Sequence, residues 1–436
     1  MATDVTAVID RLRQRIRVSP EGRASLAVTF SALALVAAKV GTMGFGFLAW
    51  IVAARLYPAH EVGLASGAVS AVTLCAQIAL VGVGSAVITL LPGHIGRPAR
   101  LIDTSVSLLM LTGAATALLF LLFAGTVLQE LRVVAADPVF AVLFVVLSVS
   151  GTLGVLFDQV STARRRGDQV LIRGVAAGVV TLIAVLLIGR WLGGGTSRDI
   201  FAAWVLGGLV TWSLGLVALS RALPGYRYRP ALAASLATEL SRVGLPNYLL
   251  TLTERAPGFV LPIVVTELLS PADNAHWYAA WMMAWVVFVI PIQVGMTSFA
   301  EIAREPGEAG RIVRHGIRTS LAVGIAGAAV VALLAGPLLG LLGSGYAEAG
   351  AFPLRILAIG IVPMTFIQAY FSYCRARRRL GEAIALGSLN CLASIVAPAA
   401  AGIGGGLVAM AVAWLGVQAI SATVAAARLR QLSRAI

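Results

Sequence analysis

Long apolar runs alternate with short polar stretches from residue 26 almost to the end of the chain. They lie at 26–54, 63–91, 104–126, 138–158, 169–189 and 200–220, then at 244–268, 277–300, 316–342, 353–373, 381–399 and 405–427. Each is long enough to cross roughly 30 Å of hydrocarbon as a helix. The pattern predicts an all-α polytopic membrane protein of about twelve transmembrane helices.

The runs fall into two sets of six. The longest polar-leaning interruption is ALPGYRYRPALAASLATELSRVG at 222–244. On each side of it a long first helix is followed by a short turn with Pro-Ala (Pro58-Ala59, then Pro271-Ala272) and a second long helix. The expected organisation is a basic amphipathic N-tail at 1–25, a six-helix lobe at 26–220 and a linker at 221–243, whose second part reads as a short interfacial helix. A second six-helix lobe at 244–427 and a tail at 428–436 complete it. Pseudo-repeated bundles place a substrate site between the repeats near the bilayer midplane, so a central cavity is expected between the lobes.

Composition agrees. Hydrophobic residues make up 59% and charged residues 12%, against about 45–50% and 25% in soluble domains. The net charge of +14 raises the question of nucleic acid, but the distribution of the arginines excludes it as a partner. Twenty-six of them lie in the two tails, the linker and the short loops on one side, and five (Arg55, Arg132, Arg190, Arg198 and Arg355) on the other. That asymmetry is the positive-inside pattern, and it places both termini in the cytoplasm. The first apolar run is about twice the length of a signal-peptide core and lacks an A-x-A site, so an uncleaved first helix is expected to drive insertion. In the N-tail, Val5, Val8, Ile9, Leu12 and Ile16 recur at helical spacing with Arg11, Arg13, Arg15 and Arg17 between them. Such a segment either lies on anionic membrane lipids or only sets topology.

Nothing points to catalysis. Cys75, Cys374 and Cys391 lack paired spacing and are expected to pack. His60, His94, His276 and His315 are not spaced as metal ligands, and no P-loop or G-x-S-x-G elbow is present. The loops opposite the arginine-rich side are too short for an active-site domain. The expectation is therefore no enzyme, no cofactor and no metal, with transport driven by an ion gradient, the membrane potential or the substrate's own gradient.

Two cations remain inside apolar runs. Lys39, the only lysine, stands 13 residues from one end of its run and 15 from the other, too deep to snorkel to an interface. A charge at that depth either pairs with an acid for packing or lines a cavity that receives an anion, and the second reading is preferred. Arg255 lies in TLTERAPGFVLP, where Pro257, Gly258 and Pro262 interrupt regular helix and open backbone groups toward a cavity. Alignment of the Pro-Ala turns places Arg255 opposite Thr42, within about one turn of Lys39. Lys39 and Arg255 are therefore the expected substrate-binding residues. Glu254, adjacent to Arg255, is a candidate coupling group or counter-ion and the best internal rival to the substrate as partner of Lys39. Gln293 and Gln368 are weaker cavity candidates, since such residues more often bond between helices. Asp158, just before Arg164, Arg165 and Arg166, is read as interfacial.

The run GFGFLAWIVAARLYPAHEVGLASGAVSAVTLCAQIALVGVGSAVITLLP at 44–92 resembles the first two helices of polysaccharide flippases in the multidrug/oligosaccharidyl-lipid/polysaccharide exporter (MOP) superfamily. FPLRILAIGIVPMTFIQAYFSYCRARRRLGEAI at 352–384 is similar to the tenth helix of that family and the basic loop after it. With the span count, the resemblance covers nearly the whole chain, through loose apolar patterns. It implies export of undecaprenyl-diphosphate-linked glycan units across the bacterial cytoplasmic membrane for polysaccharide biosynthesis, by alternating access between two lobes. It also implies glycan synthesis and polymerisation proteins as partners and a cationic central cavity, a feature Lys39 and Arg255 match in kind. Related drug antiporters carry an acid in the first helix for cation coupling, where this chain has Lys39. A small-molecule or drug cation antiporter of the same fold is the alternative. A membrane glycosyltransferase or ligase is a third, but no long outer loop supports it.

Overall fold

The computed structural model describes residues 41, 43–91, 98–164, 166–191, 193–222 and 227–434. Lys39 and the N-tail lie outside these residues. The described chain is helical throughout its elements: α1 (Met43–Leu56), α2 (Ala59–Ala79), α3 (Val83–Leu90), α4 (Pro98–Thr126), α5 (Arg132–Ala136), α6 (Pro138–Ala163), α7 (Gly167–Trp191) and α8 (Ser197–Ala222) form the first lobe. The second consists of α9 (Ala234–Leu268), α10 (Pro271–Arg304), α11 (Ala309–Leu333), α12 (Ala335–Gly340), α13 (Ser344–Ile359), α14 (Ile361–Ala376) and α15 (Leu380–Arg434).

Among the described residues nine helices are long and apolar enough to span a membrane, and α13 with α14, bent by 43°, makes a tenth. Gly406, at φ 61° and ψ −159°, divides α15 into two helices. With α1, described only from Met43 onward, the fold is consistent with twelve crossings in two lobes, and the protein is a multi-pass membrane protein. Short helices occupy corresponding places in the lobes. α5 follows the third crossing, and α12 follows the ninth.

Local chemistry fixes the helix starts. Asp137 caps α6, its carboxylate accepting the N–H groups of Val139 and Phe140, which lack partners inside the helix. Ser270 caps α10 in the same way through Asp273 N–H, with Pro271 at the first helical position, where its missing N–H is no loss.

Several helices outrun their apolar stretches. α9 begins at Ala234 rather than 244, so most of the expected linker's second part is continuous with the seventh crossing, and α15 continues to Arg434 past 427. Hydropathy marks where lipid ends, whereas a helix continues into water if its residues favour it, as ASLATELSRV at 234–243 does. Contrary to expectation, Pro257, Gly258 and Pro262 do not interrupt α9, which runs through them and Pro246 as one helix. The 35 residues of α9 extend about 50 Å, so its start projects beyond the hydrocarbon. The rest of the linker is tied to the first lobe: Tyr228 Oη lies 2.9 Å from Ser107 Oγ, and Ala231 N–H donates to the same hydroxyl at 3.2 Å.

The cores define the arrangement of the lobes. At the end carrying Pro58 and Pro271, one apolar cluster joins both, with Trp50, Leu64, Val69, Phe144 and Phe201 of the first lobe beside Leu261, Trp277, Trp281 and Leu354 of the second. Toward the linker the core divides. One cluster (Val83, Leu101, Leu156, Leu219) belongs to the first lobe together with Leu240 and Tyr248 of α9, and another (Ile302, Ile312, Tyr370, Phe371, Leu429) belongs to the second.

Candidate functional site at the lobe interface

The seam between the lobes is built mainly by α2 against α9 and α10, with α3 and α4 also meeting α9. Glycines allow close approach at both ends. A Cβ on Gly63 would lie 1.6 Å from the Pro271 carbonyl oxygen, and one on Gly244 would lie 1.8 Å from that of Gly82. Polar contacts flank them. Asn274 Nδ2 donates to the Gly63 carbonyl at 2.9 Å and to Ser66 Oγ at 3.1 Å. At the linker end Tyr248 Oη donates to the carbonyls of Gln77 and, at 3.1 Å, Ile78.

Arg255 sits within this seam. Eighteen residues make five helical turns and seven come within about 20° of two turns, so Tyr248, Arg255 and Thr266 lie along one stripe of α9. Both ends of the stripe meet α2, at Gln77 through Tyr248 and beside Gly67 through Thr266. Other faces of α9 are committed to the second lobe: Leu250 and Thr253 adjoin Gly387 of α15, and Gly258 adjoins Trp281 of α10. The half-buried Arg255 thus falls on the side of α9 that faces the first lobe. It has no hydrogen-bond or ion-pair partner among the described residues.

Glu254, 100° around the helix, turns into the second lobe. Its Oε2 accepts from Arg375 Nη2 of α14 at 2.7 Å, with the two side chains 14% and 9% exposed. Its other oxygen is buried and has no hydrogen-bond partner among the described residues. The expected counter-ion function of Glu254 is thereby directed to Arg375, an arginine that sequence counting assigns to a loop. Gln293 and Gln368 do not converge. Gln293 is exposed on α10, while Gln368 is buried on α14 beneath Gly295. Asp158 pairs with the buried Arg173 of α7, whose guanidinium lies 6.0 Å from the centre of the Phe157 ring.

Four contact residues at the seam escaped sequence reasoning. Arg55, Tyr248, Glu267 and Asn274 occur at or near the ends of apolar runs, where polar residues are ordinary, and no local spacing announces a partner 136 to 286 residues away. Among the described residues no cluster of three or more His, Cys, Asp or Glu side chains could hold a metal ion.

No protein-family model matches the chain, and no curated protein matches it in sequence. Solved structures do match. The inward-facing conformation of a multidrug resistance MATE family transporter of the MOP superfamily aligns at TM-score 0.71 and 14% identity over 93% of this chain and 98% of that one. The lipid II flippase MurJ in an inward closed conformation gives 0.69 and 12%, over 91% and 87%. A MOP superfamily transporter from Pyrococcus furiosus, described as having a binding pocket of reverse polarity, gives 0.61 and 13%, over 93% and 95%. The architecture is therefore that of the MOP superfamily transporters, over nearly the full length of both chains.

Proposed function

We propose that this protein moves an anionic lipid-linked glycan, of the undecaprenyl-diphosphate-linked type, across the bacterial cytoplasmic membrane by alternating access between its two lobes. The observation that carries the reading is the charge left over at the lobe interface. The carboxylate of Glu254 is bonded to Arg375, whereas Arg255, within electrostatic reach of both, makes no hydrogen bond or ion pair among the described residues. Lys39, placed in the first helix by the sequence, would add a second cation to Arg255, and two cations suit a diphosphate through charge-assisted hydrogen bonds. The separate cores at the linker end would let the lobes part there once the contacts of Gly244 with Gly82 and of Tyr248 with Gln77 release, and the arginine distribution makes that side cytoplasmic in this reading. Lys39 and Arg255 would bind the head group, and glycan synthesis and polymerisation proteins would be the partners.

A second reading, a small-molecule or drug cation antiporter of the same fold, draws support from the likeness to the multidrug resistance transporter. Purified protein in lipid nanodiscs separates the two. Undecaprenyl diphosphate should bind, with affinity falling at least tenfold in Arg255→Gln, and the cationic dye ethidium should not compete. Binding of ethidium with no binding of the diphosphate lipid would transfer the assignment to the antiporter.

A further inference from the structure

At the Pro58/Pro271 end two charged side chains reach across the lobe boundary in opposite directions. Arg55, at the end of α1, donates from Nε to the carbonyl of Leu341 and from Nη2 to that of Gly340, both at 2.9 Å. These carbonyls lie at the C-terminal end of α12 in the second lobe, where a helix leaves acceptors unpaired and favours a cation. Glu267, at the end of α9, accepts the N–H groups of Gln129 at 2.7 Å, Glu130 at 3.2 Å and Leu131 at 2.8 Å. Those amides lead into α5 of the first lobe.

The two clasps correspond under the repeat. Pro58 and Pro271 are 213 residues apart, and the same offset carries Arg55 to position 268, next to Glu267. α5 and α12 likewise occupy equivalent places after the third and ninth crossings. The ends of the first and seventh crossings therefore each grasp the short helix region of the opposite lobe, one with a cation on carbonyls and the other with a carboxylate on amides. Bonds to charged groups are the stronger kind, and both clasps are polar and close to the helix ends. They can therefore exchange protein partners for water as the lobes separate, which the apolar core beneath them cannot do.

We propose that Arg55 and Glu267 form a reciprocal latch that holds this end of the lobe interface shut and opens once in each transport cycle. That it opens in a cycle rests on the alternating-access reading above. The latch itself is tested without substrate, so the two can fail separately.

The test is an interlobe distance measurement by electron spin resonance in nanodiscs. Labels are placed at the exposed positions Arg132 and Glu348, with the three native cysteines replaced by alanine. The parent should give one predominant short distance. Arg55→Gln and Glu267→Gln should each raise the population of a longer distance by at least roughly tenfold, the effect of losing a single hydrogen bond to a charged group, and the double variant by about the product, since the clasps share no partner. Arg198→Gln is the control, because it breaks a 2.8 Å pair with Asp137 inside one lobe at the same end and should leave the distance unchanged. Should either single variant prove insoluble, Arg55→Lys, which keeps the charge but cannot bridge both carbonyls, gives the intermediate case. A double variant that elutes as a single folded species with the parent distribution overturns the latch. So does equal broadening in Arg198→Gln.

Discussion

Removing either partner of the Glu254–Arg375 pair should destabilise the second lobe far more than removing both. Arg375→Met leaves a carboxylate that is 14% exposed with neither oxygen paired, since one already lacks a partner in the native protein. Breaking a buried pair from one side costs about 3–5 kcal/mol. Glu254→Leu leaves a guanidinium 9% exposed in the same position, with a similar cost. The double variant Glu254→Leu/Arg375→Met buries two apolar side chains instead, and such replacements are often neutral. Its stability should fall within about 2 kcal/mol of the parent, giving a coupling of several kcal/mol in the double-mutant cycle. An ordinary interhelical hydrogen bond in a membrane protein averages about 0.6 kcal/mol, so the measurement separates a buried charge pair from generic polar glue. The assay is reversible unfolding in mixed micelles by steric trapping, with the pull placed on α14. Single variants that each lose less than 1 kcal/mol, or losses that simply add, would refute the claim that Glu254 is neutralised by Arg375.

Lys39→Gln should abolish export of the lipid-linked glycan while membrane insertion and protein level stay near normal, with Lys39→Arg rescuing only in part because a planar fork replaces a compact charge. A Lys39→Gln variant that exports at the parent rate would make the lysine a packing residue. Reporter fusions at Arg132, Gly194 and Gly345 should read outside and those at Arg165, Arg229 and Arg377 inside, as the 26-to-5 arginine division requires. One reversed site would break the orientation.

The succession of crossings, a two-lobed arrangement consistent with about twelve of them, and charge where lipid should exclude it were legible in the chain. Backbone groups in hydrocarbon must pair within their own helix, so length and apolarity of a run suffice to define a crossing, and the cost of a buried charge is a property of that one residue. Arg255 could therefore be singled out from its surroundings in the chain, whereas the prolines beside it misled, since α9 passes through them unbroken. Helix ends were less legible, because a helix such as α9 continues into water where its residues favour it.

Which charges meet is a matter of packing. Glu254 and Arg255 are neighbours in sequence, yet a 100° rotation sends one toward Arg375 and leaves the other facing the first lobe. The clasps of Arg55 and Glu267 likewise depend on backbone groups nearly 290 and 140 residues away. Gly63 resembles any other helical glycine until the Pro271 carbonyl is found against it. Contacts of this kind are set by how the helices pack, and no local pattern encodes them.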